Sequence, residues 1–340
     1  MLDILKINES SKIPKYKQIV ASITDAVQKH KLKHGTQIPS INELSADFNI
    51  ARDTVEKAYN ELKTNKIIES VRGKGFYICA GHSKDLVRIL LIMNKMSAYK
   101  KIVYEAFLKK IGIAAQVDLF IHHSNINIFE SIINENKGRY DYYVLMPHFY
   151  LESEKVKVIS LLKGIEPEKL MFLDKNIPAF SAKYSSVYQD FMTDIYDALV
   201  SGKELLEKYE ELVLVFPTDV NYPPEIMSGF RNFCVHHQKK YRIISNVAPE
   251  NDLKARAYIV LEDSDLAELI KKTKQNQWQL GKDVGILSFN DTPLKEVLAD
   301  GICVISTDHE LMGRTAAQLI LEKRTAIIKN SFALIRRNSL

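Results

Sequence analysis

The stretch IPSINELSADFNIARDTVEKAYNELKTN, residues 38–65, reads as two helices joined by a tight turn. Ser40 followed by Glu43 is a capping box that opens the first helix. Ile41, Leu44 and Phe48 then recur at helical spacing along one face. Asn49 suits the left-handed conformation that ends such a helix. In the second helix Val55, Ala58, Tyr59 and Leu62 form an apolar stripe. Arg52, Asp53, Thr54, Glu56 and Lys57 stand away from that stripe near its N-terminal end. This is the layout of a recognition helix, whose first turn meets base edges in a major groove.

Working outward, Pro14 fits the first turn of a helix that continues through Tyr16, Ile19, Val20, Ile23 and Val27. Downstream, two short apolar runs, Ile67–Val71 and Phe76–Ile78, flank Arg72-Gly73-Lys74-Gly75 and make a β-hairpin. Gly73 and Gly75 allow a tight tip, and Arg72 and Lys74 place cations on it. Helix, helix-turn-helix and basic hairpin together make a winged helix. Of the net charge of +5, most lies here: residues 1–81 carry 13 Lys or Arg against 9 Asp or Glu, while the remainder carries 34 against 33. A phosphate-facing module requires that bias.

Residues 10–79 resemble the GntR-type winged-helix domain, through IPKYKQIVASI and GTQIPSINELSADFNIARDTVEKAYNELKTNKIIESVRGKGFYI. The resemblance implies operator binding as a homodimer. It places Asn42, Arg52 and Thr54 at double-stranded DNA, and Arg72 and Gly73 at the minor groove or backbone. The chemistry of the side chains agrees. Arg52 suits a bidentate bond to guanine, Ser40 and Thr54 are short donors for phosphate, and Lys57 and Lys74 are phosphate charges. Two residues depart from the family's pattern. Ala51 stands where a Ser or Thr cap is common, and Glu56 where many members carry Arg.

Beyond a linker at residues 80–86, the chain alternates strand and helix to its end. Strands are predicted at Arg88–Met93, Gln116–Ile121, Tyr142–Met146, Leu170–Leu173, Glu211–Phe216, Tyr241–Ile244, Ala257–Leu261 and Val284–Phe289. Helices are predicted at Ile102–Ile111, Ile126–Asn136, Phe191–Lys208 and Leu266–Asn276. Such alternation implies parallel sheets with right-handed crossovers. The GKE that follows Val200 permits a division into two lobes there.

The last 57 residues, VGILSFNDTPLKEVLADGICVISTDHELMGRTAAQLILEK through FALIRRNSL, resemble the end of the LacI/GalR effector domain. The fold class implied is α/β: an N-terminal winged helix-turn-helix (1–79) and a two-lobed, periplasmic-binding-protein-like, Rossmann-type domain (87–340) with an effector in its cleft. In open α/β sheets, ligands lie beyond the carboxyl ends of strands. This selects the loops Asn94–Tyr99, Pro147–Phe149, Gln189–Asp190, Asn221–Glu225 and Asn290–Asp291, with Thr307–Asp308 as a later crossing. Candidate effector residues are Asn94, Tyr99, His148, Phe149, Asp190, Tyr222, Glu225, Asn290, Asp291 and Asp308. The resemblance favours Asp190 and Asn290 as hydroxyl ligands, with Asp174 as a further candidate. Each has a plainer role open to it. Asp190, Asp291 and Asp308 can cap helices, and Tyr99 and Phe149 can be packing.

No catalytic set is present: no Gly-x-Ser-x-Gly, no phosphate-binding Gly-x-x-x-x-Gly-Lys-[Ser/Thr], no His-Glu-x-x-His. His122-His123 and His236-His237 are adjacent pairs, and neighbours on a strand point to opposite faces, so neither reads as a metal site. Cys79, Cys234 and Cys303 are far apart and suggest reduced thiols and a cytoplasmic setting. No run approaches a membrane span, and no secretory signal opens the chain. The expectation is a sequence-specific transcriptional regulator, not an enzyme, without cofactor or metal. Its effector would be a small molecule, with a neutral monosaccharide favoured by the amide, carboxylate and aromatic loops, and its genes those of carbohydrate use. The alternatives are a sugar phosphate or nucleoside effector, or a cofactor-binding domain of enzymatic origin such as the pyridoxal-phosphate aminotransferase-like fold also found behind GntR-type domains.

Overall fold

A computed structural model describes residues 4–5, 7–8, 11, 13–28, 31–33, 35–65, 67–79, 86–149, 154–178, 183–218, 220 and 222–340. The chain divides into two compact units, Met1–Val87 with Ile113–Gln116, and Arg88–Gly112 with Val117–Leu340. The linker expected at 80–86 lies, up to residue 85, outside the described residues.

The first unit comprises α1 (Lys15–Gln28), β1 (Gln37–Ile38), α2 (Ile41–Asp47), α3 (Arg52–Thr64), β2 (Ile68–Val71) and β3 (Gly75–Ile78), its strands ordered β1-β3-β2. The capping box forms as read: the Ser40 hydroxyl accepts from the Glu43 N–H, and the Ser40 N–H donates to the Glu43 carboxylate. Asn49 takes a left-handed conformation (φ 48°) and turns the chain between α2 and α3. Ile19, Ile23, Leu44, Val55, Ala58, Tyr59 and Leu62, the stripes of all three helices, meet in one core. Tyr59 is fully buried, its hydroxyl donating to the Pro39 carbonyl at 2.7 Å. Gly73 and Gly75 have φ of 74° and 100°, which L side chains rarely adopt, so the turn between β2 and β3 needs glycine at both.

The second unit holds two lobes. The first is built from β4 (Val87–Met93), α4 (Ala98–Ile111), β5 (Ala115–Ile121), α5 (Ile126–Asn136), β6 (Tyr142–Leu145), α6 (Glu154–Leu162), β7 (Leu170–Asp174) and β8 (Ser185–Tyr188). The chain then enters the second lobe through α7 (Phe191–Ser201), α8 (Lys203–Leu206), β9 (Glu211–Val215), α9 (Glu225–His236), β10 (Lys240–Ile244), β11 (Arg256–Val260), α10 (Asp263–Gln275), β12 (Val284–Phe289), α11 (Pro293–Val297) and β13 (Cys303–Thr307). It returns to the first lobe with α12 (His309–Leu321) and β14 (Ile327–Lys329), and ends in the second with β15 (Phe332–Ile335). The sheets are ordered β14-β8-β7-β6-β4-β5 and β10-β9-β11-β12-β13-β15; from β14 to β4 and from β10 to β13 the neighbours pair in parallel, and β15 pairs antiparallel with β13.

Three departures from the sequence reading follow from tertiary context. The helix predicted over Phe191–Lys208 breaks at Gly202, where a Cβ would stand 2.5 Å from a Leu334 methyl of β15. The division between lobes falls at Gln189–Asp190 rather than after Val200, because Phe191, Ile195, Ala198 and Leu199 of α7 join the core of the second lobe. Strand β8 (SSVY) was not predicted, since Ser185 and Ser186 are polar yet buried.

The chain therefore crosses between the lobes at residues 189–190, 308 and 330–331, and Asn330 ties all three. Its N–H donates to the Tyr188 carbonyl at 2.8 Å, and its Nδ2 donates to Thr307 Oγ1 at 2.7 Å and the Asp308 carbonyl at 2.8 Å. Asn330→Ala strips one buried and one part-buried acceptor of their donor and should cost about 1–3 kcal/mol, read as a lower urea midpoint at unchanged slope. Ala51 is the N-cap of α3 and makes no side-chain cap bond. Ala51→Ser should therefore stabilise the first unit by about 1 kcal/mol, seen as a rise of its thermal transition.

Candidate functional site

Two surfaces carry the chemistry, one on each unit. In the first unit Asn42, Arg52, Asp53 and Lys57 are exposed and Thr54 is half-buried, on α2 and the first turns of α3. The ammonium of Lys57 sits 4.2 Å from the centre of the Tyr16 ring of α1. At the turn, Arg72 and Lys74 are exposed, and Gln37 Nε2 and the Tyr77 hydroxyl both donate to the Lys74 carbonyl. Those bonds hold the backbone of the basic tip while leaving both cations in water. Ser40 spends its hydroxyl as an acceptor within the capping box, leaving its proton available. Glu56 is exposed on the same helix as Arg52.

In the second unit a cleft is lined by Asn94, Lys95, Tyr99, Lys100, His148, Asp174, Gln189, Phe191, Tyr222, Pro223, Phe289 and Asn290, with about 30 Å³ of free space. Its floor is a buried polar network of the first lobe. Asp174 closes β7 in a left-handed conformation (φ 70°) and receives His148 Nε2–H at 2.8 Å on one oxygen and Gln189 Nε2 on the other. The ammonium of Lys100, 3% exposed, donates to Asn94 Oδ1 and stands 3.8 Å from Asp174 Oδ2. Burial pushes Lys100 down to about 8, with Asp174 pulling the other way. Asp174 has burial against it, yet the hydrogen bond from His148 and the charge of Lys100 hold it well below the usual carboxylate range. Burial, then Lys100, lower His148, so it is a neutral donor to Asp174.

The second lobe contributes amide and aromatic groups. Asn290, at the end of β12, is left-handed (φ 63°), and the buried Lys295 Nζ donates to the carbonyls of Phe289 and Asn290. Asn290 Oδ1 and Gln189 Oε1 are buried and accept no hydrogen bond among the described residues. The Tyr222 hydroxyl donates to Glu262 Oε1 at 2.7 Å, and Lys95 lies 4.0 Å from the same oxygen.

Five of the ten effector candidates, Asn94, Tyr99, His148, Tyr222 and Asn290, thus line one cleft, together with Asp174. The others stand elsewhere. Asp190 caps α7, its carboxylate taken by the N–H and hydroxyl of Thr193. Asp308 caps α12 through the Leu311 N–H, and Phe149 packs on His122 and Phe129. Asp291 does not cap α11; Arg337 grips it in a two-pronged ion pair. Asp291 and Asp308 border a separate open pocket of about 450 Å³. Glu225 opens α9 with one buried oxygen unpartnered, away from the cleft lining. Asn221 lies outside the described residues. Lys100 was missed because a lysine pair in a first helical turn reads as solvated. Its place on the stripe Lys100, Val103, Phe107, Ile111, all buried, is the signal that marks it. Among the described residues, no group of three or more His, Cys, Asp or Glu could hold a metal, and no helix is long and apolar enough to cross a membrane.

The arrangement defines a class: a transcriptional regulator with a winged-helix DNA-binding unit and a periplasmic-binding-protein-like second unit. Residues 15–78 match the model of bacterial regulatory proteins of the gntR family, and residues 207–336 that of a periplasmic binding protein-like domain. The HTH-type transcriptional repressor YtrA of Bacillus subtilis is 33% identical over 103 residues, 30% of this chain and 78% of YtrA. The mannosyl-D-glycerate transport/metabolism system repressor MngR of Escherichia coli is 34% identical over 65 residues, 19% of this chain and 27% of MngR. The chain spans 32% of another such relative, the repressor STM4068 of Salmonella typhimurium. The chain belongs to the gntR family. Its second unit has the fold of the LacI/GalR repressors: the trehalose repressor of Escherichia coli superposes with a TM-score of 0.60 at 15% identity, over 74% of this chain and all of that one. The regulator CelR in complex with cellobiose gives 0.58 at 14% identity, over 89% and 100%.

Burial lowers His122 and His309 to about 4 each. Both take up a proton on unfolding anywhere between about 4 and their ordinary value near 6.5, so stability should fall as pH drops through that window. Urea midpoints from pH 7 to pH 4 should decline in the wild type and decline less steeply in His309→Gln.

Proposed function

We propose that this regulator responds to a neutral monosaccharide and governs genes of carbohydrate use. The observation that carries the reading is the charge balance of the cleft. Lys100 faces Asp174 and Lys95 faces Glu262, so no net charge is left for an ionic ligand to neutralise. What remains unspent is hydrogen-bonding capacity, in Gln189 Oε1 and Asn290 Oδ1, beside the aromatic rings of Tyr99, Phe191, Tyr222 and Phe289. Amide oxygens accept from hydroxyls, and ring faces cover the apolar side of a sugar. Proteins of the same fold include a trehalose repressor, CelR with cellobiose, and a LacI-family regulator of Lactobacillus casei with glucose or sucrose, which supports the class. Asn94, Tyr99, His148, Asp174, Tyr222 and Asn290 would hold the effector.

On the DNA side, Arg52 would read a guanine, with Asn42 and Asp53 at the same groove. Ser40, Thr54, Lys57, Arg72 and Lys74 would contact the phosphate backbone, and Gly73 and Gly75 would let the tip approach it. The working form is a homodimer in the cytoplasm. Effector binding changes the equilibrium between lobe arrangements and so the operator affinity, a population shift whose size equals the differential affinity of the sugar for the two arrangements.

Two measurements test this. On an operator selected by the protein from random duplexes, Arg52→Ala should lose about 1–3 kcal/mol and relax one base position. Lys74→Ala should weaken all sequences alike and reduce the salt slope by about one. In a thermal-shift screen against monosaccharides and their phosphates, a neutral sugar should raise the melting temperature. A rise with phosphorylated sugars only would sink the neutral-effector reading, and unchanged operator affinity in Arg52→Ala would sink the assignment of the recognition helix.

A further inference from the structure

The sugar reading assigns the cleft as a whole; it leaves open why a lysine is buried in its floor. An ammonium has three donors and no acceptor. Lys100 uses one, on Asn94 Oδ1, and Asn94 is itself steadied by Nδ2 reaching Ser124 Oγ at 3.4 Å. Asp174 balances the charge and accepts from His148 and Gln189, but takes no hydrogen bond from Lys100, because the Lys100–Asp174 distance is 3.8 Å. Two buried N–H groups of Lys100 thus remain without an acceptor among the described residues. On the same cleft, Gln189 Oε1 and Asn290 Oδ1 are acceptors without a donor. Leaving such groups unpaired is costly, so the floor is a template with unspent donors on one residue and unspent acceptors on two others.

A ligand that completes it must accept and donate from neighbouring atoms. A hydroxyl does both, and two hydroxyls on adjacent carbons match donors and acceptors together. A carboxylate or phosphate only accepts and would leave both amide oxygens unpaired. We propose that Lys100 is the specificity-determining residue of the cleft, donating to the oxygens of a vicinal diol of the effector while Gln189 and Asn290 accept that diol's protons. This rests on the neutral-sugar reading and narrows it to ligands with a vicinal diol.

The role of the ammonium has a pH signature. The titratable or charged groups facing Lys100 are Lys95 after β4, Tyr99 on its own helix, His122 after β5, His148 after β6, Asp174 at the end of β7 and His309 opening α12. Tyr99 is held protonated by burial, Asp174 is charged, and the three histidines are lowered, so none of these changes state between pH 7 and 9. Burial brings Lys100 to about 8. A bound diol oxygen favours the charged form, so affinity should fall by up to about tenfold per unit as pH rises above about 8.

The experiment is a thermal-shift and calorimetric titration of the full chain, wild type, Lys100→Met and Lys100→Gln. The probes are neutral aldoses, their deoxy analogues lacking one hydroxyl of a vicinal pair, and the corresponding aldonic acids and sugar phosphates. The expected result is a neutral aldose that stabilises the wild type, binds about ten- to a hundredfold more weakly to both variants and weakens above pH 8 in the wild type. Circular dichroism of the ligand-free variants shows that they are folded, and the wild-type pH profile serves even if neither is. An aldose that binds wild type and folded variants alike, or with a flat profile from pH 7 to 9, overturns the role of Lys100 and leaves the sugar reading standing. A preference for the acids or phosphates, or no response to any probe, overturns both.

Discussion

The second unit depends on one buried amide. The chain passes between the lobes at three places, and Asn330, in the third, bonds to the other two through its backbone and side chain at once. A single crossing would leave the lobes free to swing; three crossings laced by hydrogen bonds confine them to a narrow hinge. Part of the cleft is positioned from that line, because Gln189 lies in the first crossing and Phe191 directly follows it. Helices pack to match: Gly313 of α12 lies so close to α4 that a Cβ would stand 2.2 Å from the Val103 carbonyl. That contact presses onto the first lobe the very helix that carries Lys100.

Burying Lys100 and Asp174 runs against desolvation, which for an unpaired ion costs several kcal/mol even after relaxation. The network meets that cost by sharing. His148 and Gln189 donate to the carboxylate, Asn94 accepts from the ammonium, and the opposite charges face each other across 3.8 Å. Lys295 does a parallel job in the second lobe, fixing the carbonyls around Asn290 while pairing with Asp263 at 3.1 Å.

The first unit is organised differently. Its helices are short, so their ends matter, and capping decides them. α2 begins with a complete capping box, while α3 begins on Ala51 with none, and its stability comes instead from the buried stripe of Val55, Ala58, Tyr59 and Leu62. A helix held by packing rather than by its cap keeps its first turn clear of local bonds, which leaves Arg52 and Asp53 solvent-facing.

The winged helix was legible because its information is local: a capping box, a left-handed Asn49, three apolar stripes and two glycines at one turn each act within a few residues. The alternation of strand and helix was likewise legible, since parallel strands buried on both faces read as apolar runs. The cleft was legible only in part. Loops after strands could be named from topology, and Asn94, Tyr99, His148, Tyr222 and Asn290 do meet there. But whether an aspartate caps a helix, pairs with an arginine or faces the cleft depends on residues distant in the chain: Arg337 takes Asp291 from 46 positions away. The burial of Lys100 and Ser186, the break at Gly202 and the joining of three crossings at Asn330 were likewise decided by tertiary structure. Local pattern specifies which segments form and which face turns inward; only the packed chain determines which buried polar atoms find partners and which are left without one.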